Sequence, residues 1–428
     1  MMTPRTGPSA AHTTSSKVAF TPRPWPIPLD ELPTPVLTID TAVLDHNIDT
    51  MARWCSEAGV DLAPHGKTTM APEIWQRQLD AGAWGITVAT AYQAEIARQA
   101  GVHHIIFAGT TFSTDALLLL VEPGSDVLMW VDSVATVHLV DAALERGNAT
   151  RPLPVLVELG ARGGRTGART LDAALAVAAA VRDADHLVLA GVAGYEGALT
   201  HGIDAESLQL VDDYLATLIE FRDRLDGESF TQWLDLGGDV VLTAGGSVYF
   251  DRVVEALGFR HDPDGVRGVR TRVVLRSGAY VTHDHDLYRR LTPFERIENA
   301  DRFLAALDLW ASVISKPEAT LALLNVGRRD TADDEGLPIL IEAYRTSAQG
   351  VRRVPGAVEA ARVTGLNDQH AFVELPPESS LAIGDLVRLG ISHPCTTIDK
   401  WTDIATIDDG RIKPRALPAV SGVIRTRF

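Results

Sequence analysis

The chain has 428 residues, 46% of them hydrophobic, 22% charged and 6% aromatic, a globular composition with room for one large domain and a second beside it. Lys plus Arg number 39 against 56 Asp plus Glu, a formal charge of −17 that repels a phosphate backbone and excludes nucleic acid as an expected partner. Two cysteines, Cys55 and Cys395, cannot build a disulfide framework and suit a reducing compartment, so a cytoplasmic location is expected.

Residues 1–25 lack the apolar stretch of a signal peptide and read as a flexible tail. From 26 to 270, short β-branched runs alternate with amphipathic, Ala-rich segments. The runs are PVLTID (35–40), VDLAP (60–64), WGITVAT (84–90), HHIIFAG (103–109), DVLMWVD (126–132), PVLVELG (154–160), LVLAGVAGY (187–195), QWLDLGG (232–238) and VVLTAGG (240–246). The longest apolar block, ALLLLV at 116–121, stops at Glu122, Pro123 and Gly124, far short of the ~20 residues that span a bilayer, so no membrane association is expected. About eight strand-helix repeats match a (β/α)8 TIM-type barrel, with an open doubly wound sheet as the competing arrangement. Over 271–428 the runs TRVVLRSGAYV, ATLALLNVG, HAFVELP and GDLVRLGIS read as a mostly antiparallel β domain, with one helix near 293–306.

A barrel carries its chemistry at the carboxyl ends of its strands. VDLAPHGKTT sets His65 and Lys67 there, and a desolvated lysine can act as a Schiff-base nucleophile; a surface lysine in a loop is the alternative. ELGARGGRTGAR places Arg162, Arg165 and Arg169 among glycines, able to grip an anion or simply to form a loop. TAGGS directs the amides of Gly245, Gly246 and Ser247 to the start of a predicted helix, which either binds phosphate or is plainly capped. It lacks the P-loop lysine and the dinucleotide spacing, which disfavours ATP and NAD. In GISHPCTTIDKW, His393 and Cys395 lie on one side of an extended segment and can share a metal, the sulfur favouring zinc; the alternative is a core cysteine near an unrelated histidine. His283, Asp284, His285 and Asp286 form a rival metal cluster, His370 is a candidate neighbour or substrate contact, and His103 and His104 read as incidental.

TPVLTID, PHGKT, TVATAYQAEIARQAGV, RGGRTG, GYEG, TAGGS and the late HPC, in that order, resemble the D-threonine aldolase and D-serine dehydratase group of fold-type III pyridoxal-phosphate enzymes, relatives of alanine racemase. The likeness covers about residues 30 to 400. It implies a (β/α)8 barrel and a C-terminal β domain to which the first strand returns. It implies that Lys67 holds pyridoxal 5'-phosphate as a Schiff base and acts as the catalytic base with His65 beside it. The TAGGS amides would take the phosphate, Arg165 and Tyr195 would contact the ring, and His393 with Cys395 would bind a divalent metal. In this group His-x-Cys accompanies zinc and dehydration of D-serine, whereas His-x-Asp accompanies manganese-like ions and retro-aldol cleavage. The implied activity is therefore dehydration of β-hydroxy D-amino acids to a 2-oxo acid and ammonia. D-threonine aldolase chemistry is the alternative, and a racemase or a non-catalytic cofactor carrier stands behind both. A homodimer is implied by the same likeness.

Overall fold

The computed structural model describes residues 24–266, 268–298, 300–408 and 417–428, so most of the expected tail lies outside the described residues. Two strands precede the barrel, β1 (Ile27–Pro28) and β2 (Val36–Asp40). The barrel strands are β3 (Asp61–Leu62), β4 (Ile86–Val88), β5 (His104–Phe107), β6 (Asp126–Val131), β7 (Leu153–Leu159), β8 (Leu187–Gly194), β9 (Val240–Ala244) and β10 (Thr271–Leu275). All pair in parallel in the order β3-β10-β9-β8-β7-β6-β5-β4. The ends of this sheet meet. Trp84 N–H donates to Leu62 O at 2.8 Å, Thr87 N–H to Pro64 O at 2.9 Å, and His65 bridges Thr87 in parallel. The ring is thereby closed, and the open-sheet alternative does not hold.

Local sequence explains the alternation. Asp40 accepts the amides of Ala42 and Val43 at the start of helix Thr41–Ala58, which stops at Gly59 in the left-handed region, φ 63°. Thr90, Ser113, Ser133, Thr170 and Asp204 cap later helices in the same way. Inside the ring, Ala63, Ile106, Leu128, Leu156, Val188, Val241 and Val274 pack with Trp130 and Trp233, a filled core rather than a pore.

Three expectations change. QWLDLGG is a short helix, Thr231–Asp235, not a strand. Gly237 is left-handed and Gly238 N–H closes on Trp233 O, so the two glycines end a helix. TRVVL is the eighth barrel strand, pairing in parallel with β9 and β3 rather than opening the antiparallel domain. A run buried on both faces looks alike in either sheet. In place of a helix over 293–306 there are Leu287–Leu291 and a single turn Pro293–Glu295. Pro293 holds Thr292 extended, and farther on the Asn47 side chain bonds both the N–H and the C=O of Leu304.

The second sheet contains β11 (Leu307–Glu318), β12 (Leu321–Leu324), β13 (Ile339–Ser347), β14 (Gly350–Arg353), β15 (Arg362–Leu366), β16 (Ala371–Glu374), β17 (Leu386–Gly390), β18 (Asp403–Ile407) and β19 (Ala419–Arg425). β2 lies between β18, parallel to it, and β11, antiparallel. The Trp310 indole N–H donates to Thr38 Oγ1 at 3.0 Å, tying the first long strand to the C-terminal sheet. All other pairings in this sheet are antiparallel. Among the described residues no helix is long and apolar enough to cross a membrane.

Candidate active site

A cavity at the carboxyl end of the barrel is lined by His65 and Lys67 after β3, Arg165 after β7, Tyr195 after β8, Gly245 to Ser247 after β9 and Arg276 after β10. Cys395, from the C-terminal domain, closes one side. Lys67 is on the cavity wall and keeps part of its side chain open to solvent. Burial pushes its ammonium pKa down, the Cys395 sulfur opposes this, and the Arg165 charge adds to it. His65 is held well below the ordinary imidazole range, first by burial and then by Lys67, Arg276 and Arg165. Its Nδ1 is buried and has no protein hydrogen-bond partner.

The Arg165 guanidinium lies 4.7 Å from the centre of the Tyr195 ring. Gly246 packs against that ring, where a Cβ would meet Tyr195 Cε2 at 3.0 Å. The TAGGS segment differs from expectation. The following helix begins only at Phe250, and the amides of Gly245 and Gly246 donate to the carboxylate of Glu196, at 3.0 and 2.6 Å. Glu196 is fully buried. Ser247 Oγ accepts the Ala279 N–H at 3.3 Å, joining the loops after the seventh and eighth barrel strands.

Arg276, absent from the sequence-derived candidates, is buried under the cavity. It donates to Thr243 Oγ1 at 2.6 Å and Gly194 O at 2.5 Å, and its charge lies 4.8 Å from the Trp130 ring centre. Its signal in the sequence is an arginine one residue past β10, a strand whose run looks the same in either sheet.

His393 and Cys395 line an adjoining cavity that also reaches Lys67, Tyr195 and Ser247. The Cys395 thiol donates to Thr68 Oγ1 at 3.4 Å, beside Lys67. His393 Nδ1 lies 2.8 Å from Asp334 Oδ2, and Thr396 Oγ1 bonds both. Burial lowers the His393 pKa, but the hydrogen bond and charge of Cys395 and then those of Asp334 outweigh it and raise it to about 9. With Nδ1 engaged by Asp334, Nε2 is the nitrogen left for a metal. Asp334 went unnoticed in the sequence because nothing about an acidic loop residue marks its partner.

Other candidates fall away. The Arg169 guanidinium bonds the carbonyls of Ala161, Gly164, Arg165 and Thr166, so it shapes the loop, and Arg162 does not line the cavity. Asp284 is buried and accepts the amides of Asp286 and Tyr288, His285 faces Asp308, and the four residues of the rival cluster form no metal-ligating group. His370 sits exposed in the turn before β16. Cys55 is a core residue whose thiol burial pushes up to about 12.

Residues 39–234 match the family model described as "Alanine racemase, N-terminal domain", and 306–407 match "Putative serine dehydratase domain". The chain belongs to the fold-type III pyridoxal-phosphate enzymes. It shares 26% identity over 390 residues with a D-threonine aldolase of Arthrobacter sp, covering 90% of this chain and 92% of that protein. The crystal structure of D-threonine aldolase from Filomicrobium marinum superposes with a TM-score of 0.74 at 23% identity, covering 95% and 98% of the two chains. A cysteine-to-alanine mutant of a D-threo-3-hydroxyaspartate dehydratase, in the metal-free form, superposes at 0.66 with 23% identity over 92% and 98%. The relatives matched along most of the chain are aldolases, a dehydratase matches part of it, and the chain is a pyridoxal-phosphate-dependent lyase.

The side chains fit both groups. A partly desolvated lysine amine, an orphaned imidazole nitrogen and two glycine-rich turns after the seventh and eighth strands suit a phosphorylated aldehyde. An imidazole oriented by a carboxylate, with a thiol on its other side, suits a borderline divalent cation.

Proposed function

We propose that this chain is a zinc-assisted dehydratase of β-hydroxy D-amino acids, converting D-serine to pyruvate and ammonia and D-threonine to 2-oxobutyrate and ammonia. The observation that carries this reading is that a histidine-cysteine pair lines a cavity that Lys67 also lines, Cys395 contacting the residue next to Lys67. Thiolate with imidazole favours zinc over harder cations.

Lys67 would hold pyridoxal phosphate covalently, Arg165 and Tyr195 would flank its ring, and Ser247 with Gly278 would receive its phosphate, the Gly245 and Gly246 amides serving instead to hold Glu196 beneath that loop. The buried cation of Arg276 completes the pocket. When bound, the cofactor supplies an acceptor for the electron pair left at Cα. A zinc ion on His393 and Cys395 supplies Lewis acidity toward the departing β-hydroxyl.

Lys67 Nζ takes the Cα proton, because enclosure beside Arg165 favours the free amine. His65, which lines the same cavity and whose pKa burial holds down, is the second group that would handle a proton. Arg165 and Tyr195 fix orientation, and the C-terminal domain excludes water from one side. The Cα–H and Cβ–O bonds break, a carbon–carbon double bond forms, and the oxygen leaves as water. The released enamine hydrolyses to 2-oxo acid and ammonia.

Retro-aldol cleavage is the second reading, supported by the two aldolases that match over nine-tenths of the chain. D-threonine distinguishes the two. 2-Oxobutyrate and ammonia are expected; glycine and acetaldehyde alone would overturn dehydration. Undiminished turnover after exhaustive chelation would overturn the metal's part in either. The proposed working form is a homodimer, by family likeness, to be checked by sedimentation, and its two free cysteines suit the reducing cytoplasm.

A further inference from the structure

We propose that His103, His104 and Asp126 form a second divalent-metal site, at the amino-terminal end of the barrel, for a borderline cation such as Zn²⁺, Ni²⁺ or Cu²⁺. Among the described residues they are the one group of three histidine, cysteine or acidic side chains whose ligating atoms all lie within 4.8 Å of one another. The site does not depend on the catalytic reading. His104 and Asp126 open strands whose other ends face the active-site cavity, and His104 to Ala108, which lines that cavity, is roughly 13 Å of extended chain.

The spacing suits a metal. The two Nδ1 atoms are 3.4 Å apart. Zn–N bonds of about 2.0–2.1 Å in tetrahedral geometry put two nitrogens about 3.3–3.4 Å apart. Asp126 Oδ2 is 3.9 Å from His104 Nδ1, so a modest side-chain rotation brings the third ligand in and leaves the remaining position to water.

The framework is rigid. His104 and Asp126 are partners in the parallel ladder, and Asp126 N–H donates to His103 O at 2.8 Å. The His104 ring stacks on Trp84 with centroids 4.4 Å apart and planes 4° from parallel. Behind it the backbone is tight, a Cβ at Gly85 meeting His104 O at 2.2 Å. In the metal-free chain the two rings share one hydrogen bond, which the cation replaces.

The enzyme loaded with cofactor and active-site metal is titrated with Zn²⁺, and separately with Ni²⁺, by calorimetry. The chain should take up one equivalent more than its H103Q/H104Q variant, with cofactor absorbance and turnover the same in both. Asp126→Asn, which keeps both imidazoles, should weaken the extra equivalent at least tenfold and serves if the double variant does not fold. Crystals soaked in Zn²⁺ should give an anomalous peak between the three side chains. Equal uptake by parent and variants, or no peak there, overturns the site.

Discussion

Removing the Asp334 carboxylate tests how the proposed metal ligand is aimed. Asp334 Oδ2 lies 2.8 Å from His393 Nδ1, and the Thr396 hydroxyl steadies both. A carboxylate behind a ligating imidazole fixes its tautomer and ring angle, and losing one typically costs 10- to 100-fold in metal affinity. The Asp334 side chain is 46% exposed while His393 is 17% exposed, so solvent screens the pair and the lower end applies. Asp334→Ala should therefore weaken zinc binding about tenfold, about 1.4 kcal/mol, and Asp334→Asn, which keeps an acceptor oxygen, by less. The assay is competition with a chromophoric chelator, with cofactor absorbance followed in the same cuvette as a control for the barrel. Zinc affinity within twofold of the parent for both variants, alongside loss in Cys395→Ala, would refute the positioning argument.

Lys67→Ala should abolish the visible absorbance of lysine-bound cofactor and lower turnover by at least about a thousandfold; a persisting band that borohydride still bleaches would place the anchor elsewhere. Burial lifts Asp284 from 3.8 to about 7. The folded chain thus keeps a proton that the unfolded chain releases above about pH 4, and the stability present below that pH is lost as pH rises toward 7, on the order of 3 to 4 kcal/mol. Asp284→Asn should accordingly gain on the parent between pH 4 and 8 in urea denaturation; a constant difference would mean that the native carboxyl is already ionised. Gly191→Ala drives a Cβ to 1.9 Å from Val241 O between β8 and β9 and should cost at least about 2 kcal/mol, whereas a parental melting curve would contradict that spacing.

The strand-helix rhythm was legible because most barrel strands are buried and rich in β-branched residues, and many of the helices open on a capping side chain such as Asp40, Thr90 or Ser133. Lys67 was legible for the same reason, since the end of a strand tells where a side chain emerges. What the sequence hid depended on contacts between distant segments. Glu196 takes the Gly245 and Gly246 amides across 50 residues of chain or fewer, and Asp334 meets His393 across 59. The pair of glycines at 237–238 looked like the end of a strand and is the end of a helix. His103 and His104 looked incidental because their third neighbour, Asp126, arrives on the adjacent strand.

The seam of the barrel runs beside the lysine. β3 is only two residues long, and it is held by β10, more than two hundred residues later, and by the Pro64 and His65 contacts with Thr87. During synthesis the segment bearing Lys67 emerges early and can meet only its neighbour around Trp84 and Thr87; its other barrel partner waits for residues 271–275, and the wall carrying Cys395 comes later still. Such long-range closure is slow. Capture of the cofactor is thus an event of the finished chain, and a ribosome-bound fragment ending before residue 271 should have an amine but no pocket to put it in.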